Sequence, residues 1–259
     1  MSAFSHAMGD SLTMLRRNLL HAKRYPNMTL SIVFMPIFML LLFVFVFGGA
    51  IGAGLAKGDY IDYVTPGIIL MTATSGSVVV AVAVAVDKTE GIINRFRTLA
   101  ISPGSVMTGQ VVGSVIQTML SVALVTGFAV LIGFRPAGGP LGWLGAFGLL
   151  TLVALAVTWC SAAFGLIAKG AETASNIALP FQFLPFLGSA IVTPESMPAG
   201  MRWFAEYQPF TPIIDTLRGL LMGQPVGGGT ALAAVAWCLA IAAGGYLWSR
   251  SLFHRRKDA

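Results

Sequence analysis

The chain has 259 residues, of which 56% are hydrophobic and only 10% charged, with a formal net charge of +6. A soluble domain carries roughly one-quarter charged residues, so this composition excludes an ordinary soluble enzyme or binding module and places the chain in a lipid bilayer. The positive balance calls for no nucleic acid partner, because span topology and anionic lipid headgroups account for basic flanks.

At the start, Met8, Leu12, Leu15 and Leu19 recur at helical spacing, while Arg16, Arg17, Lys23 and Arg24 would reach toward headgroups. Residues 1–28 read as a cytoplasmic interfacial amphipathic helix that turns into the membrane near "YPNM"; the alternative is a disordered basic tail. They do not read as a cleaved signal peptide, since the first 28 residues are mostly polar and the apolar run behind them is too long for an h-region. Residues 29–259 read as one transmembrane domain.

Charge-free runs at 25–56, 98–134, 136–168, 173–194 and 219–249, with a further run between Asp62 and Asp87, mark the spans. Each can hold a helix of about 20 residues, enough to cross about 30 Å of hydrocarbon. The expected crossings lie near 29–50, 63–86, 105–133, 143–168, 174–193 and 229–249. Unpaired backbone groups are costly in lipid and the runs are too long for barrel strands, so the expected fold class is an all-α polytopic bundle of six transmembrane helices. On one side of these crossings lie Arg16, Arg17, Lys23, Arg24, Lys88, Arg95, Arg97, Lys169, Arg250, Arg255, Arg256 and Lys257. The other side holds Lys57, Arg135, Arg202 and Arg218. This asymmetry puts both termini and the 87–104 loop in the cytoplasm.

That loop reads "DKTEGIINRFRTLAISPG". Asp87 and Glu90 suit a helix start, Ile92, Ile93, Phe96 and Leu99 form an apolar stripe opposite Asn94, Arg95 and Arg97, and "SPG" closes the element. An apolar stripe outside the spans needs a cover, which is either the membrane surface or a groove on another protein.

The third span carries Gln110, Ser114, Gln117 and Ser121 on one helical face. Such a stripe avoids lipid, either by hydrogen bonding to neighbouring helices or by lining a path. Cys160 and Cys238 each stand alone among apolar residues and read as core. The fifth span contains Pro180 and Pro185, which predict a kink or break. Residues 193–225 are too charged to span and too apolar for a free loop. Arg202 and Glu206 can pair at i, i+4, and Trp203 and Tyr207 suit the interface, so short helices at the outer leaflet are expected, with an ordinary extracellular loop as the alternative.

Several chemistries are missing from the sequence. It has no "GxxxxGK[ST]" phosphate loop, no His constellation able to hold a metal, no nucleophile–base arrangement and no ionisable residue within the spans of the kind an ion-coupled carrier uses.

The segments "YVTPGIILM" (63–71), "EGIINRFRTLAISPGSVMTGQ" (90–110) and "QPFTPIIDTLRGLL" (208–221) resemble the membrane subunits of ABC transporter type-2 exporters, particularly the daunorubicin/doxorubicin-resistance branch. With the six-span plan, the resemblance covers nearly the whole chain. It implies that the 87–104 loop is a coupling helix docking on a separate ATPase subunit, with Glu90, Gly91, Ile92, Arg95, Phe96, Arg97 and Leu99 at the contact. It further implies two ATPase copies holding ATP and Mg, no cofactor on this chain, and a second six-span subunit, either a copy or a paralogue. The bacterial inner membrane is the implied location. Gln110, Ser114, Gln117, Ser121, Phe181 and Phe183 are the path candidates. Trp203, Tyr207, Gln208 and Pro209 form the expected extracellular cap, where Gln208 departs from the Asn that often precedes this proline in relatives. A drug, lipid, glycolipid or polysaccharide remains open as cargo. A membrane anchor that does not transport, and an ion-coupled carrier, are the other classes left standing.

Overall fold

The structure, a computed structural model, describes residues 26–51, 59–91 and 103–255. Residues 1–25 of the expected interfacial helix, and Ile92, Arg95, Phe96, Arg97 and Leu99 of the expected coupling helix, lie outside the described residues.

The described residues form helices joined by short turns, with no strand among them. Helix α1 (Pro26–Leu41) passes into a π-helical stretch Leu42–Phe47 and a last turn Gly48–Ile51. There follow α2 (Asp59–Thr89), α3 (Pro103–Leu131), α4 (Pro140–Ile167) and α5 (Ala171–Phe183). Two 3-10 turns, Leu184–Leu187 and Pro194–Ser196, lead to the short helices α6 (Ala199–Tyr207) and α7 (Phe210–Met222), and α8 (Gly228–Arg255) closes the fold. Proline explains several boundaries: it stands in the first turn of α4, where its missing N–H costs nothing. The αL residue after α7 is Gly223, the usual stop for a helix.

Four of these helices, α2, α3, α4 and α8, are long and apolar enough to cross a membrane; the apolar part of α1, Val33–Phe47, is shorter. The fifth expected span is not a single helix over 174–193. Pro180 and Pro185 remove backbone donors, α5 stops at Phe183, and beyond Leu187 the chain leaves helical geometry. The segment nevertheless runs the length of the bundle. Ala168, just ahead of α5, meets Lys88 at one end of α2, and Ser189 meets Tyr63 at the other. The stretch of α2 between Tyr63 and Lys88 is about 37 Å long, more than the hydrocarbon thickness of about 30 Å.

Helix α2 is the central element. Of its apolar window 78% is buried within the molecule, against 17% for α8, so α2 is packed by protein and α8 is left mainly to whatever surrounds the bundle. Around α2 stand α1, α3, α4, α5 and α7, and α8 lies along α4. The main core joins Val64, Ile68 and Ile69 of α2 to Val122 and Val125 of α3, Leu150 and Val153 of α4, and Ile213, Ile214 and Leu217 of α7. Gly67 permits a close approach of α2 to the chain beyond α5, because a Cβ there would lie 2.7 Å from the Cβ of Ala190. Pro66 is accepted inside α2, beside Thr65, whose hydroxyl donates to the Ile61 carbonyl.

Candidate functional site

The residues of interest fall at the two ends of α2 and along α3. At one end, α2 stops because Gly91 takes a left-handed φ of +70°, which an L side chain resists. Its N–H donates to the Lys88 carbonyl at 3.3 Å, and the Glu90 N–H donates to Val86 at 2.9 Å. Glu90 is exposed and Gly91 half-buried, so the described part of this helix ends at the edge of the bundle. One turn earlier, the Lys88 ammonium donates to the carbonyls of Leu166, at 2.9 Å, and Ala168, at 2.5 Å. Those carbonyls belong to the C-terminal end of α4, which carries partial negative charge and lacks intrahelical donors.

Along α3, Val112, Ile116, Leu120 and Leu124 form an exposed aliphatic face, and Val111, Val115, Val122 and Val125 are buried. The polar stripe occupies a flank between them. Gln110, Ser114 and Gln117 are half-buried, and Ser121 is fully buried with its hydroxyl donating to the Gln117 carbonyl at 3.1 Å. On α5, Phe181 is half-buried with its ring 5.2 Å from that of Phe164, while Phe183 is exposed and stacks on Phe186 at 6.1 Å.

At the other end of α2, the short helices form a built cluster. On α6, Arg202 Nε lies 2.7 Å from Glu206 Oε1, and exposed Trp203 and Tyr207 pack on each other with ring centroids 5.5 Å apart. Gln208 turns inward at the junction with α7, which starts after Pro209. It is buried, and among the described residues neither amide atom finds a hydrogen-bond partner. Gly188 makes room for it, since a Cβ there would strike the Gln208 amide nitrogen.

Arg218 is the hub of this end. Its guanidinium donates to the Ser189 carbonyl at 2.6 Å, to Asp215 Oδ1 at 3.0 Å and to the Tyr63 carbonyl at 3.3 Å, and it lies 4.0 Å from the centre of the Tyr63 ring. The Ser189 hydroxyl donates to Asp215 at 2.7 Å, and the Tyr63 hydroxyl donates to the Ser189 carbonyl at 3.2 Å. Three separate pieces of chain are therefore tied at one point: the start of α2, the break after α5, and α7. A planar fork with several donors suits this task, and an aromatic face beneath it adds cation–π attraction. Nearby, the Arg135 N–H donates to Asp62 at 3.1 Å, and the Arg135 guanidinium donates to the Val130 carbonyl at 2.8 Å, capping α3.

Sequence reasoning anticipated the Arg202–Glu206 pair, but it counted Arg218 only in the charge asymmetry and took Asp215 and Arg218 only as part of a segment too charged to span. The signal was available in part, as an i, i+3 acid–base pair on an otherwise apolar helix. Its partners Tyr63 and Ser189 are too distant in sequence to be inferred, as are the partners of Lys88. Among the described residues no group of three or more His, Cys, Asp or Glu side chains could hold a metal ion.

A helical bundle with four helices long and apolar enough to cross a membrane, a broken segment after α4 and short helices before α8 defines a polytopic membrane protein. The chain belongs to the ABC-2 type transporter family, whose model matches residues 11–222. It is similar to the daunorubicin resistance ABC transporter permease protein DrrB1 of Streptomyces coeruleorubidus, with 29% identity over 218 residues, covering 84% of this chain and 76% of that one. It is also similar to the probable doxorubicin resistance ABC transporter permease protein DrrC of Mycobacterium tuberculosis, with 25% identity over 169 residues, covering 63% of this chain and 59% of that one. The family resemblance read from the three sequence segments and the all-helical membrane fold are both borne out. The matched range includes the residues that follow Gly91, the stripe of α3 and the Arg218 cluster.

Proposed function

We propose that this chain is the permease subunit of an ATP-driven exporter in a bacterial inner membrane, with both termini and the Lys88 end of α2 on the cytoplasmic side. The observation that carries the reading is the family match across residues 11–222. The sequence has no phosphate loop, so hydrolysis falls to a separate ATPase subunit that holds ATP and Mg. Two copies of that subunit serve two six-span units, and the second unit is this chain again or a paralogue.

The contact with the ATPase lies within residues 87–104. Glu90 and Gly91 deliver the chain to it, Ile92, Phe96 and Leu99 fill a groove, and Arg95 and Arg97 meet its rim. The stripe Gln110, Ser114, Gln117 and Ser121, with Phe181 and Phe183, faces the path between the two units. Trp203, Tyr207, Gln208 and Pro209 cap its outer end. The permeases similar to this chain are named for daunorubicin and doxorubicin resistance, which supports an amphipathic, drug-like or lipid-like cargo. Replacing Phe96 by Asp places a charge in the proposed groove contact. The variant is expected to insert normally yet fail to co-purify with the ATPase subunit; retention of the ATPase with normal export would refute the docking assignment.

A further inference from the structure

We infer that Lys88 is a positioning residue that transmits movement from the ATPase-docking end to the outer segment, an inference that rests on the function proposed above. Lys88 sits in the last turn of α2, three residues before the left-handed Gly91 and within the 87–104 segment proposed to meet the ATPase. Its ammonium does not serve only its own helix. It reaches across to the Leu166 and Ala168 carbonyls, at the end of α4 and the start of the turn into α5. Ala168 is fully buried, and its own N–H closes the last turn of α4 on the Phe164 carbonyl at 3.0 Å. The hold is thus on a firm part of the backbone, and a charged donor at a helix C-terminus is favoured by both the dipole and the unpaired carbonyls.

The connection continues in both directions along covalent structure. On one side, Gly91 leads into the docking loop. On the other, the turn held by Lys88 opens α5, which packs along α2 and ends in the break at Leu184–Leu187. A few residues later comes Ser189, whose carbonyl and hydroxyl are held by Arg218 and Asp215 of α7. A shift of the docking loop therefore moves α2 and α5 together at one end, and α5 delivers that shift to the outer helices at the other. Without Lys88 only the apolar packing of Ala81 and Ala85 with Ala168, Ala174 and Ala178 holds the end of α2 to the α4–α5 turn, so the turn follows that end less closely.

The test uses the full complex of this chain with its ATPase subunit in lipid nanodiscs. Cys160 and Cys238 are replaced, and an environment-sensitive fluorophore is placed at Glu206→Cys on exposed α6. The wild-type background should change emission on addition of ATP and vanadate; if it does not, the proposed function itself fails. Lys88→Met should retain the ATPase subunit and most of its hydrolysis. Its fluorophore response should fall about tenfold or more, since both charge-assisted hydrogen bonds, to Leu166 and Ala168, are lost. Lys88→Arg, which can still donate to both carbonyls, should recover most of the response. A full response in Lys88→Met would overturn the inference. So would a proportional fall in hydrolysis and response in both variants, or loss of insertion in Lys88→Met and Lys88→Gln alike, since either result makes Lys88 a structural cap.

Discussion

Replacing Arg218 by Met keeps a long apolar stem and removes the guanidinium that joins α2, the break after α5, and α7. Its hydrogen bond to Ser189 is short at 2.6 Å, that to Asp215 is of ordinary length at 3.0 Å, and the third, to Tyr63 at 3.3 Å, is weaker. A hydrogen bond to a charged group contributes about 1.5–3 kcal/mol net in water-soluble proteins, and polar contacts between membrane helices average nearer 0.6 kcal/mol. The Arg218 side chain is 15% exposed but that of Asp215 is 41% exposed, so the acid regains water when its partner goes and its share must be discounted. The Ser189 carbonyl also keeps the Tyr63 hydroxyl. The net loss is about 2–3 kcal/mol, which for a chain of this size lowers the melting temperature by about 4–12 °C. Arg218→Lys should fall between the two, since an ammonium lacks the fork and stacks less well on Tyr63. Thermal unfolding of the purified protein in one detergent measures all three, with Arg202→Met as a control whose exposed pair should leave the transition where it was. A melting temperature for Arg218→Met within about 1 °C of wild type would show that the cluster does not hold the outer helices in place.

Gln208→Met should raise stability rather than lower it, because a buried amide without partners costs about 1–3 kcal/mol; a lower melting temperature would mean that a water or a neighbouring subunit satisfies it. Gln117→Leu should alter cargo-stimulated ATP hydrolysis with little change in melting temperature if the α3 stripe faces the path. A large loss of stability with an unchanged cargo response would assign the stripe to helix packing. In a background without Cys160 and Cys238, an impermeant thiol reagent added outside the cell should label cysteines at the exposed positions 195 and 206. It should spare 213 and 217, which are buried, and 220, which is half-buried. Uniform rapid labelling over 193–225 would indicate a solvated loop, and labelling only from the cytoplasm would reverse the proposed orientation.

The parts of the fold that were legible in the sequence are those written locally. Expected crossings at 105–133 and 143–168 correspond to Pro103–Leu131 and Pro140–Ile167, because absence of charge sets the length and proline marks the start. The break after α5 was legible for the same reason, through Pro180 and Pro185, although where the chain would go next was not. The π-helical stretch over "LFVFVF" left no local mark, since any apolar run serves an α-helix equally well. The anchoring of both ends of α2 was invisible for a different reason. Lys88 pairs with carbonyls near residue 168, and Arg218 with carbonyls of Tyr63 and Ser189. Backbone acceptors carry no sequence identity, so no residue type announced them. Gln208 stood out in sequence only as an unusual residue before Pro209, and its burial follows from the tertiary approach of Gly188.

The central claim is that this chain forms a cargo path driven by ATP hydrolysis on another subunit. The most direct measurement is cargo movement in liposomes containing the purified chain and its ATPase subunit, with fluorescent daunorubicin as the probe and the ATPase facing out. ATP should drive the probe into the vesicles, and the movement should vanish when the phosphate-loop lysine of the ATPase is replaced. ATP-independent movement, movement driven by a proton gradient alone, or none for any amphipathic drug or lipid tested despite active hydrolysis, would contradict the account.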